Sequence, residues 1–258
     1  PCRSCCSTSS SSAISWRASR PPVSRAERRV VPPAPRLGRA IRQAGLDLYY
    51  NSVRLVPANL LWGLSLLVIL YVVSRGLILA PLLVLMVPLT MALMGMATTL
   101  VRRPRLFWSD AIDAMRGRFW PLLGIGIAQL LLSAIAATDT LIGLQLEGFV
   151  GPIVVIGGLY TLAAIWLLAV TTWPLLLDPV RAGAGVRRTL RLGLLLAVAH
   201  PIRLGVLALL LAAFLVASTV LAAALVTISG ALTMLAAAHY VLPAADRLEG
   251  RATVEVLD

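Results

Sequence analysis

Residues 148–177 read GFVGPIVVIGGLYTLAAIWLLAVTTWPLLL, thirty positions from Gly148 to Leu177 without one charged side chain. A helix rises about 1.5 Å per residue, so roughly 20 apolar residues cross the ~30 Å hydrocarbon layer of a bilayer. This stretch is long enough, and it has companions. Leu55 to Ser74, Gly76 to Val101 and Phe119 to Thr138 are equally free of charge, and so is Leu204 to Ala245, whose 42 residues suit two spans divided at Ser229-Gly230. The sequence therefore predicts an all-α fold, a polytopic transmembrane helical bundle of six spans. The sixth is the shortest, since Thr227 to Pro243 offers only 17 residues, too few to guarantee a full crossing.

Composition agrees. Of 258 residues 59% are hydrophobic and the mean hydropathy is +0.89, more apolar than a water-soluble domain can hide. The net charge of +12 would point to a polyanion in a soluble protein, but its distribution argues for sidedness instead of nucleic acid. All 23 basic residues are arginine. Basic loops stay on the cytoplasmic side, and an even number of spans with both termini inside puts 22 arginines there, leaving Arg75 alone outside. The partner this implies is a bilayer with anionic lipid on its inner leaflet, and the expected location is a cell membrane.

Three domains follow. Residues 1–35 form a Ser-, Arg- and Pro-rich leader with no apolar period, expected to be disordered; the functional protein is expected to begin near Val30 to Leu37. Residues 36–249 form the helical domain, and 250–258 a short cytoplasmic tail. Within the helical domain three amphipathic segments predict interfacial elbow helices. Their apolar stripes are Leu37, Ile41, Ala44 and Leu48; Trp108, Ile112, Met115 and Phe119; and Val186, Leu190, Leu194 and Ala197. The second and third lead into proline, at Trp120-Pro121 and His200-Pro201, where a new helix starts without needing a donor. Span two, elbow and span three thus resemble span four, elbow and span five, an internal repeat offset by about 80 residues.

Candidate functional residues are few. Asp139 sits at the outer end of span three, with Glu147 beyond it, a pair that could line a vestibule. His239 lies within span six and is expected to be hydrogen-bonded inside the bundle; His200 is expected to end the second elbow helix. No catalytic residue, cofactor site or metal site is predicted: the two histidines are isolated, and Cys2, Cys5 and Cys6 lie in the leader. Tryptophans and tyrosines at 49, 50, 62, 108, 120, 173 and 240 read as interfacial anchors. Small residues, Gly124, Ala128, Ser133 and Ala137 in span three, Ala213, Ala217 and Ala224 in span five, and Gly151, Gly157 and Gly158 in span four, read as helix-contact faces. Pro81, Pro88, Pro152 and Pro174 are candidates for breaking spans two and four.

Asn59-Leu60-Leu61-Trp62 opening the first span, Phe107-Trp108 through Phe119-Trp120 at one elbow, and Leu195 to Pro201 at the other resemble the YesL-type family of uncharacterised bacterial membrane proteins, over about Leu37 to Glu249. The resemblance implies a helical membrane protein with no assigned catalytic residues and a partnership with carbohydrate-uptake permease subunits. The expected function is accordingly a non-enzymatic accessory or scaffold protein linked to a carbohydrate transport system. The alternative is a small-solute transporter or channel, and third comes a lipid-modifying enzyme, for which the polar candidates lie on opposite sides.

Overall fold

The computed structural model describes residues 36–250, apart from 76, 104–105, 117 and 222–223. The leader with its three cysteines, Arg105 and residues 251–258 of the tail lie outside the described residues. Among those described the chain is helical throughout. Helix α1 (Leu37–Tyr50) leads into α2 (Ser52–Arg75). A 3-10 segment, Leu77–Leu85, precedes α3 (Met86–Arg102), and α4 (Trp108–Arg116) precedes a hairpin of α5 (Phe119–Gln145) and α6 (Val150–Leu176). After a single 3-10 turn come α7 (Val186–Ala199), α8 (Pro201–Val220), a π-turn at Leu225–Ser229 and α9 (Gly230–Leu248).

Among the described residues six helices are long and apolar enough to cross a membrane: Ser52–Arg75, Pro81–Arg102, Phe119–Gln145, Val150–Leu176, Pro201–Val220 and Val226–Leu248. The bundle has two kinds of span. The last is 78% buried against protein and the second 61%, whereas the other four are between 11% and 28% buried. Helices α3 and α9 are thus the inner pair, and α2, α5, α6 and α8 surround them. The outer helices carry apolar side chains to the outside, among them Leu132, Ile156, Leu209 and Val216. Such a surface needs lipid, because water would penalise it at about 25 cal/mol per Å².

The sixth span corrects the sequence reading in two places. Helix α8 ends at Val220, ahead of Ser229-Gly230, which lies inside helix where the π-turn gives way to α9 and so is not the break between spans five and six. Pro243 does not end the helix either; α9 continues to Leu248, and the span reaches 23 residues, enough to cross. Likewise α6 runs through Pro174 unbroken, and Pro152 lies in its first turn where no donor is missed.

The elbows exist, with rotated faces. Helix α1 packs along α9 through Ala40 and Ala44, while Ile41, assigned to its stripe, is exposed. Helix α7 packs on α6 through Thr189, Gly193 and Leu196, leaving Leu194 outside; a Cβ on Gly193 would come within 2.7 Å of the Thr172 methyl. Trp108 and Ile112 of α4 are exposed, as a face meant for headgroups requires. The order of span, elbow, span recurs in α3–α4–α5 and α6–α7–α8, each elbow folding against the span before it.

The α5–α6 hairpin is held by different small residues from most of those expected. Gly143, Gly151 and Gly158 are buried in it, and a Cβ on Gly158 would lie 2.9 Å from the Ala136 carbonyl. Gly126 meets Val87 of α3, whereas Gly124, Ala128, Ala213, Ala217 and Gly157 face outward. Gly148, at φ 86°, makes the turn between the two helices.

Candidate functional site

The charged residues that follow the apolar runs do not all point to solvent. Asp178 is the first charged residue beyond α6, Arg102 the last of α3, Asp246 lies in the final turn of α9, and Arg181 belongs to the 3-10 turn after α6. All four converge. Arg102 grips Asp178 with two donors, Nε to Oδ1 at 3.1 Å and Nη2 to Oδ2 at 2.7 Å, while its Nη1 donates to Asp246 at 2.6 Å. From the other side the Arg181 guanidinium donates to Asp178, to Asp246 at 2.6 Å and to Glu249 at 2.9 Å. Arg181, Asp178 and Asp246 are 2%, 1% and 3% exposed.

Local sequence explains how the turn is built. Asp178 caps the 3-10 turn by accepting the Val180 N–H at 3.1 Å, and Pro179 supplies a preset φ at its first position. Arg118 closes the next loop, its Nη2 donating to the carbonyls of Arg181 at 2.7 Å, Ala182 and Ala184. Burial by itself would weaken the hold of Arg181 on its proton, but Asp178 and Asp246 beside it outweigh that and raise its pKa above the ordinary arginine value. It stays charged. Two cations and three carboxylates therefore bind one another and fasten the ends of α3, α6 and α9 together. The network is a clamp, since all four carboxylate oxygens of Asp178 and Asp246 are already engaged by a guanidinium.

A second polar device lies deeper. A π-turn leaves backbone groups out of register, and such turns occur mostly as isolated insertions. Asn59 of α2, fully buried, repairs this one: its Nδ2 donates to the Val226 carbonyl at 2.8 Å and its Oδ1 accepts the Ala231 N–H at 2.7 Å. Gly230 lets the amide in, because a Cβ there would come within 2.6 Å of Asn59 Oδ1.

The residues singled out from sequence are scattered. Asp139 is exposed on α5, which continues past it to Gln145, and Glu147 is exposed in the following turn. His200 ends α7 as expected, its N–H donating to the Leu196 carbonyl at 3.1 Å, and its own carbonyl starts α8. His239 is hydrogen-bonded inside the bundle, and its partner, Asp47 Oδ2 at 2.7 Å, comes from α1. None of the four approaches another. Among the described residues no three His, Cys, Asp or Glu side chains gather as metal ligands would.

Between α2, α3, α6, α8 and α9 lies a cavity of about 100 Å³. Trp62, Trp166 and Trp173 form its walls, with Met94, Met234 and Thr233. Trp173 and Tyr240, read as interfacial anchors, are interior side chains, Tyr240 being only 2% exposed, and Trp62 is half-buried; Tyr49, Tyr50, Trp108 and Trp120 are exposed as anchors should be. The indole N–H groups of the wall are all engaged, Trp62 with Thr90 Oγ1 at 3.0 Å, Trp166 with the Ala208 carbonyl at 2.8 Å and Trp173 with Gln129 Oε1 at 2.8 Å. Sequence could have flagged the clamp, because Asp178 and Asp246 each follow an uncharged run directly. It gave no sign of the cavity, whose walls are ordinary apolar residues. Comparison of the chain with family models, curated proteins and solved structures returns no match.

Proposed function

We propose that this protein is a non-enzymatic accessory or scaffold component of a bacterial plasma membrane, with both chain ends and the clamp on the cytoplasmic side, serving a carbohydrate transport system. One observation carries the reading: the charges that assemble consume one another, and the charges that stay free do not assemble. A substrate path for a sugar needs polar groups turned toward it. The cavity has walls of tryptophan, methionine and aliphatic residues instead, and its two threonines, Thr90 and Thr233, turn no polar surface into it. The motifs that resemble the YesL-type family supply the link to sugar uptake, and two of their residues, Asn59 and Trp62, stand at the junction with the sixth span.

Exposed arginines at the clamp end, Arg103, Arg116, Arg187, Arg188, Arg191 and Arg203 among them, support the inner-leaflet placement. They also offer a surface for anionic lipid or for the acidic loops of a permease. A transporter is the second reading, favoured by the irregular turns that open spans two and six, Leu77–Leu85 and Leu225–Ser229, since transporter sites are built at discontinuous helices. The two readings separate in one experiment. Co-purification with permease subunits from native membranes, with no sugar flux by the pure protein in liposomes, supports the accessory role; flux by the protein alone refutes it.

A further inference from the structure

Asp139 is exposed on α5, and among the described residues it accepts no hydrogen bond and joins no ion pair. It does not mark the end of the apolar surface, since Leu141, Ile142 and Leu144 beyond it are 61%, 48% and 68% exposed. A carboxylate within a span is costly against lipid, and such residues almost always turn to a partner. The opposite charge stands in the same situation. Among the described residues Arg75, the last of α2, is the one arginine at the end of the bundle opposite the clamp. It is exposed, it donates to the Tyr71 hydroxyl of its own helix at 2.5 Å, and no described carboxylate pairs with it.

Helices α2 and α5 both pack against the 3-10 segment Leu77–Leu85, and so lie on one side of the bundle. Their outward faces match. Leu60, Leu64, Val68, Tyr71 and Arg75 are exposed on α2, and Gly124, Ala128, Leu132, Ile135 and Asp139 are exposed on α5 at the same steps of four, four, three and four. Arg75 is the 24th residue of α2 and Asp139 the 21st of α5. Both helices start at the clamp end, so the two charges stand within about 5 Å of the same depth. Lipid tails are as apolar as leucine, and an apolar face gains little by leaving them for another helix. The charges supply what the faces lack.

We propose that these faces join two copies of this chain in a symmetric dimer, Arg75 of each copy pairing with Asp139 of the other at the outer edge of the membrane. A two-fold axis along the membrane normal sets α2 against α5 and α5 against α2, so the ion pair forms twice. Leu60 and Leu64 then stand opposite Gly124 and Ala128, large side chains against small. The inference goes beyond the accessory role and does not depend on it.

The test uses the full chain carrying Cys2→Ser, Cys5→Ser and Cys6→Ser. Two differently tagged copies, one with Arg75→Cys and the other with Asp139→Cys, are co-expressed and treated in native membranes with a short bismaleimide; such a dimer keeps one ion pair, from Asp139 of the first copy to Arg75 of the second. A cross-linked species bearing both tags is expected, and none when the cysteines are Leu209→Cys and Val216→Cys on α8, which are equally exposed to lipid. Single-molecule photobleaching in liposomes then counts subunits. Arg75→Asp or Asp139→Arg alone sets like charges together and should weaken the dimer at least about tenfold, whereas both changes in one chain should restore it, as a general loss of fold would not allow. A protein that stays monomeric at every density, a dimer indifferent to both reversals, or single losses that the double change does not rescue would overturn the proposal. A monomer that sheds permease subunits on Asp139→Arg would overturn it too, by assigning the face to a foreign helix.

Discussion

Asp246 and Arg181, 65 positions apart in the chain, meet at 2.6 Å with both side chains almost wholly withdrawn from solvent. Asp246 also receives Arg102, so one carboxylate ties the ends of α3 and α9 to the turn after α6. The two guanidiniums reach Asp246 from different places, Arg102 from the last residue of α3 and Arg181 from the 3-10 turn beyond α6. Removing one member of a buried ionic cluster strands the others without water to replace it. Asp246→Ala should therefore destabilise the protein by about 3–5 kcal/mol, seen as a lowered thermal midpoint in detergent. Asp246→Asn combined with Arg181→Gln should cost less than the two single changes added together. Additive losses would show that the pair is not coupled.

The amide of Asn59 bridges two backbone groups across the π-turn, the Val226 carbonyl and the Ala231 N–H, so its loss removes both bonds in an apolar interior. Asn59→Leu, near the same volume, is expected to lower stability by about 2 kcal/mol or more. Circular dichroism melting in detergent reads it out. A melt like that of the unaltered protein would mean the π-turn is satisfied without Asn59.

The α5–α6 hairpin separates adjacent glycines by function. At Gly158 a new side chain meets the Ala136 carbonyl, and at Gly157 it meets nothing within 4 Å. Gly158→Leu should force the helices apart and cost about 1–3 kcal/mol, whereas Gly157→Leu should leave the melting temperature unchanged. Equal effects from the two would contradict the hairpin contact.

Helix α1 is fastened to α9 through Asp47 and His239. If that bond contributes 1–2 kcal/mol or so, its removal raises the fraction of time α1 is detached by about 5- to 30-fold. Asp47→Ala, which removes the side-chain partner altogether, should then speed tryptic cleavage after Arg39 and Arg42 by a comparable factor. Unchanged cleavage rates would show that α1 is held by its apolar contacts, Ala40 and Ala44 among them, without the Asp47–His239 bond.

The spans were legible because lipid imposes a length of uninterrupted apolar sequence, and the elbows because arginine and proline mark where that length ends. Helix rotation was harder to read. A helix in lipid is apolar on both its lipid face and its protein face, so nothing in α5 tells Gly124, which faces out, from Gly126, which meets Val87. The pairing within the clamp was hidden for a related reason, although its two aspartates each directly follow an uncharged run. An arginine after a span suits a phosphate headgroup and a carboxylate alike, and only the fold shows that Arg102 and Arg181 took the carboxylates. His239 was found on its helix, but Asp47 lies 192 positions away and could not be assigned to it.

The most direct test of the whole account is sidedness, read by single cysteines in a leaderless background without native thiols. Gly183→Cys marks the loop beside the clamp and Glu147→Cys the turn of the α5–α6 hairpin; both sites are exposed. A membrane-impermeant maleimide on intact cells should label Glu147→Cys and should reach Gly183→Cys only after the cells are permeabilised. Labelling of Gly183→Cys from outside, with Glu147→Cys protected, would place the arginine end across the membrane and contradict the account.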